Sequence, residues 1–180
     1  MVYLFLANGF EEVEALTPLD YLRRCEIDVQ IVGVSGLVIR GSHGVRVMAD
    51  ILPTQINLPE AEMIILPGGL PGTLNLEKSE AVQNCIDYCA IHDRWIGAIC
   101  AAPSILGHKG LLKGRKATCY PGYEAQLEGA QIGEPGVCED GKYITATSVH
   151  FAEKFAYALG EKLLGKSRID LLRAAVVDKD

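Results

Sequence analysis

The chain has 180 residues, 49 % of them hydrophobic, enough for one full core and fitting a single domain over residues 1–180. Its 17 basic and 23 acidic residues give a formal charge of −6 with no Lys/Arg cluster, which excludes nucleic acid as an expected partner. The opening MVYLFLANGFEE has no basic leader and meets acids too soon for a signal or a membrane span, so the six cysteines are expected reduced in a cytoplasmic, membrane-free protein.

Apolar runs of strand length alternate with segments of helical period, the pattern of a mostly parallel sheet with helices on both faces. Residues Val2–Leu6 read as the first strand. Beyond the Asn8-Gly9 turn, Glu11 and Glu12 open a helix whose Val13, Leu16, Leu19 and Leu22 recur at helical spacing as far as Cys25. Val29–Val34 is the second strand. Leu37–Ile39 and Val45–Met48 flank Gly41-Ser42-His43-Gly44, which suits a hairpin. Met63–Leu66 runs into Pro67-Gly68-Gly69, a helix over Ser79–His92 follows, and Trp95–Ile99 is the predicted central strand. Pro103 starts a helix that Gly107 and Gly110 soon end, and Ala117–Cys119 and Tyr143–Thr145 are short strands. The last helix predicted, His150–Leu164, carries Phe151, Phe155, Ala158, Leu159 and Leu163 as an apolar stripe and stops at Gly165.

In open parallel sheets, ligands bind beyond the carboxyl ends of the strands. The strongest pattern there is Ala98-Ile99-Cys100-Ala101-Ala102-Pro103, a nucleophile flanked by small residues between a strand and a helix. It predicts a strained elbow at Cys100, with a helix N-terminus that lowers the thiol pKa from about 8.5 toward roughly 3.5–7.5. Gly68 and Gly69 are placed to offer backbone N–H groups to an oxyanion. The first helix supplies Glu11, Glu12 and Glu14 as acids for the thiol, and periodicity does not choose among them.

Three motifs in this order carry a resemblance: Asn8-Gly9-Phe10-Glu11-Glu12-Val13-Glu14, Leu66-Pro67-Gly68-Gly69, and Gly97-Ala98-Ile99-Cys100-Ala101-Ala102-Pro103. The chain resembles the ThiJ/PfpI superfamily, in the branch of the Parkinson-associated protein deglycase, over essentially its whole length. The resemblance implies an α/β flavodoxin-like three-layer sandwich, of the kind also seen in class I glutamine amidotransferases, assembled as a homodimer. It implies Cys100 as nucleophile and Glu14 as the protonated acid against its sulfur. Gly69 and Ala101 become the oxyanion donors, Glu11 and Glu12 scaffold, and His43 a residue brought to the site by a dimer mate. No cofactor or metal is implied.

Two departures matter. Ala101 stands where protease-like relatives have histidine, which disfavours peptidase activity, and Tyr120 stands where glyoxalase-type relatives have histidine before the proline. Tyrosine, with a reference pKa near about 10, is the poorer base.

His150 after the last strand is a candidate dyad partner for Cys100, and Cys119 is a second thiol expected at the same pocket. Cys85 and Cys89, four apart on one helix, read as core. The expected function is a cysteine-dependent stress-protection protein acting on small reactive carbonyls or glycated substrates, of glyoxalase III or deglycase type. The alternatives are a non-catalytic oxidative-stress sensor or redox-regulated chaperone working through oxidised Cys100, and a hydrolase pairing Cys100 with His150.

Overall fold

The computed structural model describes residues 1–177. Strand β1 (Val2–Leu6) turns Val2, Leu4 and Leu6 to one face and Tyr3 and Phe5 to the other, and all five are buried because helices cover both sides. In chain order follow α1 (Glu12–Arg24), β2 (Val29–Gly33), the hairpin strands β3 (Val38–Arg40) and β4 (Arg46–Met48), β5 (Met63–Leu66), α2 (Gly72–Glu77) and α3 (Glu80–Ile91). The second half adds β6 (Trp95–Ile99), α4 (Pro103–His108), β7 (Lys116–Ala117), β8 (Gln131–Ile132), β9 (Val137–Asp140), β10 (Tyr143–Ala146), α5 (Ala152–Leu164) and α6 (Lys166–Ala175).

Six strands form one sheet in the order β2-β1-β5-β6-β10-β9, parallel throughout except for β9 against β10. This is the mostly parallel, flavodoxin-like sandwich that the alternation and the resemblance predict. One core layer joins Phe5, Ile64, Leu66 and Ile96 to Val82 and Ile86 of α3 and Ile105 and Leu106 of α4. The other joins Leu4, Leu6 and Ile65 to Leu19 of α1 and Phe155 and Leu159 of α5. Truncating Phe155 to alanine removes a fully buried ring, at a cost of about 3–5 kcal/mol. The side on which successive strands are added switches between β1 and β5, and because these strands are parallel the loops after β1, β5, β6 and β10 leave the same edge of the sheet.

Some boundaries differ from the sequence expectation. Ala117–Cys119 contributes only to the two-residue β7, which pairs with β8 outside the main sheet. The edge strand β9 is half-buried and lacks a β-branched run, so it left little periodic signal. His150 lies in a single 3-10 turn, Val149–Phe151, and α5 begins after it. Gly165 ends α5 at φ +81, yet the chain resumes as α6, held down by buried Ile169 and Leu172. No helix among the described residues is long and apolar enough to cross a membrane.

Candidate active site

At the end of β6 the backbone turns sharply, and Cys100 takes φ +65, a left-handed conformation that costs a side chain about 1 kcal/mol or more. Two hydrogen bonds hold it there: its N–H donates to the Ala146 carbonyl at 2.9 Å, and its carbonyl accepts the Tyr120 N–H at 2.8 Å. Ala101 and Ala102 beside the turn are buried, and Pro103 supplies the first helical position of α4. The elbow expected from the sequence is therefore present. Helix α4 is only six residues long, however, so its dipole is slight and the local donor is the Ala101 N–H itself.

The loop after β5 meets this turn from one side. Gly68 has no room for a side chain: a Cβ there would lie 2.6 Å from the Cys100 Cβ and 2.6 Å from Glu14 Oε2. Gly69 adopts φ +89 and is packed against the backbone of Gly9, Phe10 and Glu11. The loop is tied to the start of α1 by the Glu11 N–H, which donates to the Gly68 carbonyl at 3.0 Å. The Gly69 and Ala101 backbone N–H groups both favour charge on the Cys100 sulfur.

Among the three acids left open by periodicity, the helix turn separates the roles. Glu14 points inward and is fully buried, with Oε2 accepting the Gly68 N–H at 3.1 Å. Its Oε1 is buried without a hydrogen-bond partner, and the Cys100 thiol and the Glu11 carboxyl are side chains that act on this group. Burial pushes Glu14 up to about 7, against the opposing pull of Cys100 and the Gly68 N–H. Glu12 instead faces the β3–β4 hairpin. Its carboxylate accepts the His43 N–H at 2.8 Å and the Val45 N–H at 3.3 Å, and lies 3.0 Å from His43 Nδ1. Burial works against its charge, but the hydrogen bonds from His43 and its neighbours outweigh it and hold Glu12 below the usual carboxylate range.

The expected low thiol pKa is overturned. Burial and the negative charge of Glu14 push Cys100 up to about 12, more than the Ala101 and Gly69 N–H groups offset. Two ionisable groups this close lose their protons as a pair. With Glu14 near 7 and Cys100 near 12, the first proton leaves the carboxyl near neutrality and the second stays on sulfur. A protonated Glu14 no longer repels a thiolate and gives Oε1 a proton to donate. What the geometry offers is a thiol with its own base, rather than a free-standing thiolate.

The remaining candidates are dispersed. His150 is exposed and packs edge-on against Phe151 at 4.9 Å, and it is not among the groups acting on the Cys100 thiol. Cys119 is buried in the core layer on the α3/α4 side, whereas Cys100 packs against the layer on the α1/α5 side. Tyr120 is 47 % exposed beside the elbow. His43 is exposed on the hairpin, its ring Nδ1 paired with Glu12 and Glu11. Ligand atoms of Glu11, Glu12 and His43 lie within 4.8 Å of one another, a spacing a cation would tolerate, but they already satisfy each other. Sequence reasoning missed Val149, whose backbone lies close enough to favour charge on the Glu14 carboxyl. It is an exposed valine in a turn, and nothing in the residue type announced it.

Residues 1–162 match the model of the DJ-1/PfpI family. The chain is 35 % identical over 173 residues to protein DJ-1 homolog A of Arabidopsis thaliana, covering 94 % of this chain and 44 % of that protein, so it spans less than half of that relative's length. It is 32 % identical over 151 residues to the deglycase PH1704 of Pyrococcus horikoshii, covering 81 % of this chain and 89 % of the other. Among solved structures, oxidised Toxoplasma gondii DJ-1 superposes with a TM-score of 0.94 at 32 % identity, covering 99 % of this chain and 98 % of that one.

Proposed function

Since the chain belongs to the DJ-1/PfpI family, we propose that it is a stress-protection enzyme that detoxifies small α-oxoaldehydes, using Cys100 as nucleophile and Glu14 as its acid–base partner. The observation that carries this reading is the fully buried Glu14 carboxyl, pushed up to about 7, against a strained thiol supplied with two backbone N–H donors. The relative named as a deglycase supports a protective role.

The Glu14 carboxylate takes the thiol proton as sulfur attacks the aldehyde carbon. The C=O electron pair moves to oxygen, where the Gly69 and Ala101 N–H groups stabilise it until Glu14 returns the proton, giving a hemithioacetal. Glu14 then removes the hydrogen on the former aldehyde carbon. The electrons pass through an enediol, and reprotonation at the neighbouring carbon yields a thioester of a 2-hydroxy acid. Water hydrolyses the thioester and frees the thiol, so the net change is R–CO–CHO plus water to R–CHOH–COOH. Glu14 does both proton transfers because position 120 carries tyrosine. The test is 2-hydroxy acid formation from methylglyoxal. Activity in the wild type, and its loss in both Cys100→Ser and Glu14→Gln, is the expected result; equal rates in all three would refute it.

A second reading rests on the same orphaned oxygen. A protonated Glu14 Oε1 is placed to donate to an oxygen added on sulfur, so mild peroxide would leave Cys100 as a retained sulfinate.

A further inference from the structure

The two backbone groups that hold the Cys100 turn come from different segments. The Ala146 carbonyl ends β10, and the Tyr120 N–H belongs to the chain after β7. That chain has no strand edge to lie on. Strand β10 pairs with β6 on one side and β9 on the other, so both of its backbone edges are taken, and β7 lies with β8 in a separate two-stranded sheet.

Threonine side chains supply the missing link. Thr118, Thr145 and Thr147 are all buried, and a buried hydroxyl needs partners. The Thr118 N–H donates to Thr145 Oγ1 at 2.9 Å, and Thr145 Oγ1 in turn donates to the Cys138 carbonyl at 3.5 Å. Thr147 Oγ1 accepts the Gly136 N–H at 2.8 Å and donates to the Gly136 carbonyl at 3.2 Å. With its one proton placed there, it is the acceptor for the Thr118 hydroxyl, 3.0 Å away. Thr118 stands two residues before Tyr120, and Thr147 directly follows Ala146.

We infer that Thr118 and Thr147 are positioning residues for Cys100: the bond between their hydroxyls clamps the segment carrying the Tyr120 N–H to the strand end carrying the Ala146 carbonyl, and so holds the left-handed turn between them. A backbone conformation disfavoured for a side chain persists only where its surroundings over-determine it. The two threonines act through the backbone of the turn. The inference rests on the proposed role of Cys100 and adds what keeps its backbone in place.

The test reads the placement of the sulfur against its base through iodoacetamide alkylation of Cys100, located by peptide mass analysis. Thr118→Val keeps the shape of the side chain and removes its bond to Thr147. Its rate at pH 7 is expected to fall about tenfold, with the midpoint of its pH profile moved upward as the sulfur withdraws from Glu14. The Cys100 and Tyr120 amides should exchange faster. Thr118→Ser, which keeps the hydroxyl, should restore all three readouts. Thr147→Val cuts the same bond from the other side and carries the test where Thr118→Val does not fold. Ile169→Val, in the separate core cluster under α6, lowers stability away from the turn and should leave rate and midpoint unchanged. Wild-type rate and midpoint in the folded valine variant, or an equal fall in Ile169→Val, overturns the inference while leaving the role of Cys100 intact. A wild-type Cys100 that iodoacetamide does not modify overturns both.

Discussion

The Glu14 carboxyl and the Cys100 thiol face each other across Gly68: the carboxylate raises the thiol's affinity for a proton, while the hydrogen bond from the thiol pulls that of the carboxyl down against the effect of burial. Glu14 arrives from the first turn of α1 and Cys100 from the end of β6. Two elements distant in sequence thus meet over the one residue that has no side chain to keep them apart.

That pairing fixes a pH profile. The first proton leaves the pair near pH 7, where Glu14 titrates, so the alkylation rate of Cys100 should rise through a midpoint close to 7. In Glu14→Gln the thiol has lost its base and remains buried. Its midpoint should move up by at least about one unit, with a tenfold or larger fall in rate at pH 7. Coincident profiles for the two proteins, followed with iodoacetamide, would contradict Glu14 as the base for the thiol.

The same carboxyl affects stability with a definite sign. Its folded value of about 7 lies above the usual 4.5, so the native state binds more protons than the unfolded state between those values. Its contribution is fully present below 4.5 and is lost as pH rises through 7. Glu14→Gln should therefore gain on the wild type by up to roughly 3 kcal/mol between pH 5 and pH 8. Urea denaturation at the two pH values measures the difference; a gap that does not widen would argue against a buried titrating acid.

Gly68→Ala is the steric test. Its Cβ would press on both the Cys100 Cβ and Glu14 Oε2 and force the two groups apart. The expected cost is about 1–3 kcal/mol of stability, with at least a tenfold drop in Cys100 reactivity at pH 7. Wild-type reactivity in a folded Gly68→Ala protein would show that the close approach is dispensable.

Glu12 should act on structure rather than on chemistry. Glu12→Ala removes the acceptor that holds His43 and Val45, so stability should fall by about 1.5–3 kcal/mol and the amides of residues 42–45 should exchange faster. The Glu12 contribution is present above its ordinary value and lost as pH falls. The His43 contribution is present below about 6.5 and lost as pH rises through its raised value. The hairpin should accordingly be best protected between about pH 4.5 and 6.5, and hydrogen exchange across that range checks it.

Much of this was legible in the residues. Strands buried on both faces, β1, β5 and β6, read as unbroken apolar runs, and the small flankers of Cys100 announced the elbow, because a crowded backbone leaves few residue types to choose from. Elements whose stability comes from neighbours were not legible: β9 exists because β10 offers it an edge, and α6 because Ile169 and Leu172 find a hollow beside Tyr157. The thiol's proton affinity was misread for a related reason. A turn and a proline are local signals that point to a lowered value, whereas the burial and the carboxylate that raise it come from α1. Among three glutamates within four positions, spacing on a helix does not reveal which points inward; the contact with Gly68 decides it.

The left-handed backbone at position 100 carries one further implication. Glycine would occupy that conformation without strain, and the bonds from Ala146 and Tyr120 would hold it equally well. The sulfur thus sits on a backbone conformation that only a residue without a Cβ adopts freely, so Cys100→Gly would keep the turn while removing the thiol alone.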